Sequence, residues 1–222
     1  FKTFNPILND NLYYYYFKDL IYSSLLEIND DSSLNNLLAS SVEKVDERTY
    51  RIKLREGVKF HNGKVLSADD VIFSYNYILN NKDRSFYYNL INDEGNKIFN
   101  GSANFTINRL DNNSVEVKFA SASQNNLYKL TFPIISATDD YNNYMPNGTG
   151  PFKFKSYENN KLLILEKNKS YFNGQASIDT VTGIVIENPA NIEGIFETGK
   201  LDIYTAFDSN YSAFLSSSKY SV

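Results

Sequence analysis

Residues 50–79, YRIKLREGVKFHNGKVLSADDVIFSYNYIL, constrain the fold of this chain more than any other stretch. Tyr50, Ile52 and Leu54 alternate with Arg51, Lys53 and Arg55, the period-two pattern of a strand that is wet on one face. Gly57 and then His61-Asn62-Gly63-Lys64 break the chain, and Asn-Gly supplies the positive φ angles of a tight turn. Ser67 fits an N-cap, and Asp70, three residues on, completes the S-x-x-D form of a capping box. Asp69 and Asp70 also complement the positive end of the helix dipole. Ala68, Val71, Ile72, Tyr75, Ile78 and Leu79 then recur at helical spacing, which gives one buried stripe, and Asn80-Asn81 ends the helix.

The rest of the chain reads as mixed α and β with several hairpins. Residues 1–8 form an extended opening closed by Pro6. Tyr13, Phe17, Leu20, Ile21, Ser24 and Leu25 place a helix over 13–28, with a run of four tyrosines at its start. Two strands over 42–54 turn at Asp46-Glu47-Arg48, and residues 86–91 suit a short helix. Phe105 and Ile107 pair across Asp111-Asn112-Asn113 with Val115, Val117 and Phe119. An apolar stretch over 127–135 is stopped by Pro133, and PNGTGP at 146–151 is a loop. Strands are expected over 152–155, 162–166 and 178–187. A helix starts at Asn188-Pro189, since proline is tolerated at the first position, and ends at Gly199. A last strand covers 201–204, and a Ser-rich tail covers 208–222.

Composition narrows the function classes. The 222 residues carry a net charge of −4 with a pI near 5.1, and no basic stripe suits a nucleic-acid partner. Cysteine is absent, which excludes disulfides, thiol catalysis and Cys-based zinc sites. No run approaches the ~18–20 apolar residues of a membrane span. The chain starts mid-pattern at Phe1 without a basic, apolar leader, so a removed leader or a trimmed terminus is expected ahead of it.

Few constellations suit chemistry. His61 is the single histidine, so any Ser-His-Asp site must use it; its position between a strand and a helix reads as a turn residue hydrogen-bonding locally. Asp69-Asp70 reads as capping and Asp139-Asp140 as a solvated face. Gly148-Thr149-Gly150-Pro151 lacks the G-x-x-x-x-G-K-[ST] spacing and precedes a strand instead of a helix, so it is a backbone corner allowing close approach, not a phosphate loop. No catalytic residue, metal site or cofactor is expected.

Several segments resemble the family 5 extracellular solute-binding proteins, the receptors of peptide and nickel ABC importers. Thr3-Phe4-Asn5-Pro6, DLIYSSLL at 19–26 and residues 39–54 resemble the family's opening, first helix and first hairpin. Residues 55–75 resemble its R-k-g-v-k-f-h-d-G-k-p-l-t-A-e-D-V-v-f-S stretch almost position by position. Residues 147–157 and 195–203 resemble its "pvGTGPfkf-ky" and "l-sGelDi" segments. Ser67 stands for the usual Thr, Asn62 for Asp, Val65 for Pro, and Lys200 for the Glu of Gly-Glu-Leu-Asp. The matches run in order from Thr3 to about Thr205, yet the chain has about half the family's length and resembles its N-terminal half.

The resemblance implies a class II periplasmic-binding-protein-like α/β lobe, a mixed sheet flanked by helices with an inserted small α/β subdomain. Residues 1–40 and 147–206 would form the base lobe, 41–146 the subdomain, and 207–222 the crossover towards a second lobe. It implies a receptor that is not an enzyme. The receptor is extracellular, as a lipid-anchored cell-surface protein or a periplasmic one, acts as a monomer, and delivers an oligopeptide or other small solute to an ABC permease. Ligand contacts are implied at Asn11, Leu12 and Tyr13, at Phe86, Tyr87 and Tyr88, and at the rim corner Asn147, Gly148 and Thr149. The alternatives are a nickel complex or oligosaccharide as solute, or a surface protein-interaction or sensor lobe of the same fold.

Overall fold

A computed structural model describes residues 3–92, 104–141, 145–186, 188 and 192–203. The chain divides into two compact units, Phe1–Gly183 and Ile184–Val222.

In the first unit, helix α1 (Leu12–Ile21) follows a turn at Pro6-Ile7-Leu8. The opening is therefore not extended throughout: Asn5 turns the chain, its Oδ1 accepting from the Ile7 N–H at 2.9 Å and its carbonyl from the Asn9 N–H at 3.0 Å. The helix expected over 13–28 stops at Ile21. Its carbonyls are claimed from outside the helix, Ile21 O by the Gly150 N–H at 2.8 Å and Ser23 O by the Ile134 N–H at 2.9 Å. Ser23-Ser24 adds little intrinsic helix preference to resist this. The chain then forms a short hairpin of β1 (Leu26–Ile28) and β2 (Leu34–Asn36).

Strands β3 (Ala39–Lys44) and β4 (Thr49–Leu54) form the expected hairpin, with the Asp46 carboxylate accepting from the N–H groups of Arg48 and Thr49. With β5 (Phe105–Arg109) and β6 (Ser114–Phe119) they build an antiparallel sheet in the order β3-β4-β6-β5. The alternation read from sequence is the alternation observed: Ile52, Leu54, Val115, Val117, Phe105 and Phe119 are buried, while Arg51, Lys53 and Lys118 face solvent.

Helix α2 (Ala68–Asn80) starts after Ser67 and packs on β5, burying Val71, Tyr75 and Ile78; the Tyr75 ring lies 4.8 Å from that of Phe105. Each such side chain contributes about 1.5–3 kcal/mol by leaving water. Helix α3 (Phe86–Ile91) packs against α2, and a 3-10 helix (Asn126–Leu130) opens the apolar stretch before Pro133. Strands β7 (Phe152–Glu158), β8 (Leu162–Lys167) and β9 (Thr180–Ile184) form the third sheet.

In the second unit, helix α4 (Ile192–Glu197) ends two residues before the expected Gly199, which follows it with a φ of +72°. Its expected start at Pro189 lies outside the described residues. The strand expected over 201–204 is absent from 201–203: Leu201 to Ile203 make no ladder, and Ile203 is 85% exposed, too wet for a core strand. Tyr204 and the Ser-rich tail lie outside the described residues. Among the described residues no helix is long and apolar enough to cross a membrane.

Candidate functional site

Two clusters include residues that the sequence singles out, and both involve α1. At its C-terminal end lies the Asn147-Gly148-Thr149-Gly150 corner, wholly buried. A Cβ added to Gly148 would stand 1.9 Å from the Ile21 carbonyl oxygen, so only glycine lets this backbone meet the helix end. His61 grips the same corner. Its N–H donates to Gly148 O at 2.9 Å, its Nδ1 accepts from the Gly148 N–H at 3.3 Å, and its Nε2 lies 3.1 Å from Gly150 O. These partners dictate a neutral ring with the proton on Nε2. Burial, and secondarily Lys153, lowers its pKa to about 4, against the partly offsetting bond to Gly150. The expectation of a locally bonded turn histidine is corrected: the partners are 87 and 89 residues away, because the 60–64 turn folds onto the corner.

The clamp extends outward. Asn147 donates to both oxygens of Asp139 at 2.9 and 3.1 Å and accepts from the Asn62 N–H at 3.1 Å. Asp139 is therefore part of this network and not simply a solvated face; burial raises its pKa, and the bond from Asn147 opposes that. Asp70, fully buried, accepts from the Ser67 N–H at 3.0 Å, as the capping reading requires, and also from Lys64 Nζ at 2.5 Å and the Ala137 N–H at 2.8 Å. Asn168, which the sequence reading missed, donates to Gly150 O at 2.9 Å. These side chains hold an orientation and present no nucleophile–base pair.

The second cluster starts at the N-terminal end of α1. The Asn11 carbonyl and Oδ1 both accept from the Tyr14 N–H, so Asn11 begins the helix. Tyr15 and Tyr16, in the first turns, are 51% and 47% exposed. Lys18 is buried at 6% exposure, its Nζ 4.3 Å from the Tyr15 ring centre, 2.8 Å from Tyr87 Oη and 3.0 Å from Asp19 Oδ1. Tyr87 is buried on α3, Tyr88 is half-buried and Phe86 is 70% exposed, its ring 5.8 Å from that of Tyr87. The Lys18–Tyr87 bond thus ties α1 to Tyr87, one of the expected contacts on α3. Leu12, at the start of α1, is about 14 Å by helix rise from Ile21, which the Asn147 corner meets, whereas Lys18 is three residues from it. Lys18 was missed because counting apolar positions skips a cation, although it lies four residues after buried Tyr14 and three before buried Ile21.

Two shallow surface depressions lie elsewhere, at residues 109–113 and beside Ser40, Lys53 and Phe172, and neither is lined by an expected contact. Among the described residues no group of three His, Cys, Asp or Glu could hold a metal ion.

Comparison with known proteins gives this geometry its context. The model of the bacterial extracellular solute-binding proteins, family 5 (Middle), matches residues 33–222. The oligopeptide-binding protein AppA of Bacillus subtilis (strain 168) is 28% identical over 87% of this chain and 37% of its own length. The nickel-binding periplasmic protein of Escherichia coli (strain K12) is 25% identical over 88% of this chain and 38% of its own. The structure of AppA from Bacillus subtilis in complex with a nonapeptide superposes with a TM-score of 0.72 at 26% identity, covering 89% of this chain and 40% of that one. This chain thus spans under half the length of these relatives. The α/β fold is that of the periplasmic-binding-protein-like lobe, and the family consists of transport receptors, not enzymes. With the family model matching most of its residues and this fold shared, the chain belongs to the bacterial extracellular solute-binding proteins of family 5.

Proposed function

We propose that this chain is the ligand-recognising part of an ABC-importer receptor that works outside the cytoplasmic membrane, as a single copy, and takes short peptides for delivery to a permease. The observation that carries this reading is the exposed aromatic rim of Tyr15, Tyr16 and Phe86 around the buried Lys18–Tyr87 bond. Of the contacts implied by the resemblance, Phe86 belongs to that rim and Tyr87 to that bond, while Tyr15 and Tyr16 follow Asn11, Leu12 and Tyr13 along the chain. Aromatic surfaces accommodate varied peptide side chains, while hydrogen bonds to the main chain supply affinity. The oligopeptide-binding relative supports the same solute class. In this reading Asn147, Gly148 and Thr149 shape the rim of a base lobe formed by 1–40 and 147–206, residues 41–146 are its inserted subdomain, and 207–222 lead on to a second lobe.

Isothermal titration of the full-length gene product with di- to pentapeptides tests it, with nickel plus free histidine as the competing solute. Saturable heat from peptides supports the assignment. Heat from nickel alone reassigns the solute, and heat from neither overturns the peptide reading in favour of another solute such as an oligosaccharide or of a protein-interaction lobe.

A further inference from the structure

Hydrogen-bond bookkeeping at Lys18 singles out one group. An ammonium has three N–H donors and no acceptor. Two of these donors have oxygen partners, Tyr87 Oη at 2.8 Å and Asp19 Oδ1 at 3.0 Å, and the ammonium also lies over the face of Tyr15. Because lysine can only donate, the Tyr87 oxygen is the acceptor of their bond, and its own hydrogen must point elsewhere. Burial first, then Asp19 and Tyr15, push the Tyr87 pKa well above the ordinary phenol value, so that hydrogen stays in place. Among the described residues no acceptor receives it. Tyr87 is only 6% exposed, yet its neighbours Phe86 and Tyr15 are 70% and 51% exposed. A nearly buried donor thus lies at the foot of an exposed aromatic rim, where an unmatched O–H is costly.

We propose that the Tyr87 hydroxyl donates to an uncharged main-chain amide carbonyl of a bound peptide. Lys18 is the positioning residue that turns the phenol hydrogen outward. The inference rests on the peptide reading above and deepens it. The choice of an amide follows from charge: Asp19 already balances Lys18, so a ligand carboxylate here would stand beside Asp19 without a compensating cation. An amide carbonyl accepts the same bond and brings no charge.

The test uses the full-length gene product, penta-alanine, and four penta-alanine analogues in which one amide oxygen at a time is replaced by sulfur, a weaker acceptor. Tyr87→Phe is expected to weaken penta-alanine binding roughly 3–10-fold. One thioamide analogue should weaken binding to the wild type by a similar factor and bind the Tyr87→Phe variant no worse than penta-alanine does. Lys18→Met should flatten the same dependence, and Lys18→Arg, which keeps a donor, should restore it. Equal affinities of Tyr87→Phe and wild type overturn the inference and leave the peptide reading standing. A Tyr87→Phe loss that is the same for every analogue assigns Tyr87 a structural role and also overturns it. So does a dependence that vanishes when the peptide's C-terminus is amidated, since the acceptor is then the carboxylate. No binding of any peptide by the wild type overturns both readings.

Discussion

His61 and Gly150 are joined through a single ring nitrogen, Nε2 lying 3.1 Å from the Gly150 carbonyl across 89 residues of sequence. On the other side of the ring, Nδ1 takes the Gly148 N–H. The bond links the turn between β4 and α2 to the corner that receives the end of α1. Two segments that stand out separately in the sequence are therefore one physical object.

The clamp makes stability depend on pH. His61 is neutral in the fold with a pKa of about 4, against an ordinary 6.5. Between those values the unfolded chain binds a proton that the folded chain refuses. The contribution is complete above pH 6.5 and is lost as pH falls towards 4, by about 3 kcal/mol in total. His61→Gln, which cannot titrate, should lack this slope. Asp139, with its raised pKa, acts in the opposite sense, so the quantity to read is the difference between wild type and variant in urea unfolding at pH 7.5 and pH 4.5. Parallel curves would refute a neutral His61.

Gly148→Ala should destabilise by about 3 kcal/mol or more, because the new Cβ meets backbone, which cannot swing aside. Gly194→Ala is the contrast: it lies in α4 with nothing within 4 Å of the added Cβ. It should be neutral or stabilise by up to about 1 kcal/mol. Chemical denaturation of both variants checks the pair.

Asp70→Asn should cost about 3 kcal/mol. It removes the partner of Lys64 and turns an amide N–H towards some of the donors that the carboxylate now accepts from, Ser67 N–H, Ala137 N–H and Lys64 Nζ. Thermal melts of Asp70→Asn and Asp69→Asn separate this from simple loss of helix-dipole charge, since Asp69 is 61% exposed and should matter by under about 0.5 kcal/mol.

Phe86→Ala should leave unfolding within about 0.5 kcal/mol of the wild type, its ring being 70% exposed, while weakening peptide binding in the full-length gene product. Unchanged affinity by calorimetry would remove Phe86 from the contact surface.

Local pattern made much of the fold legible. Alternation at Ile52, Leu54, Val115 and Val117, the Ser67–Asp70 cap and the helical stripe through Val71, Tyr75 and Ile78 all appear as read. The misplaced boundaries lie where distant residues take over local hydrogen bonds. At Ile21 the apolar spacing continues, but Gly150 and Ile134 claim the carbonyls that a longer helix would use. The candidate contacts on α1 and α3 could be named from the tyrosine run and the aromatic triplet. The bond from Lys18 on α1 to Tyr87 on α3 could not be read, because a cation at a buried position is invisible until its partners are placed.

The sequence by itself determined the elements and the family, because period, capping and turn chemistry are short-range and act on neighbours in the chain. Tertiary structure alone decided what the polar residues do. His61 became a clamp when the corner at Gly148 and Gly150 closed on it, and Lys18 became the centre of an aromatic cluster when α3 brought Tyr87 to it. A buried polar group is defined by its partners, and here those partners are 69 to 89 residues away.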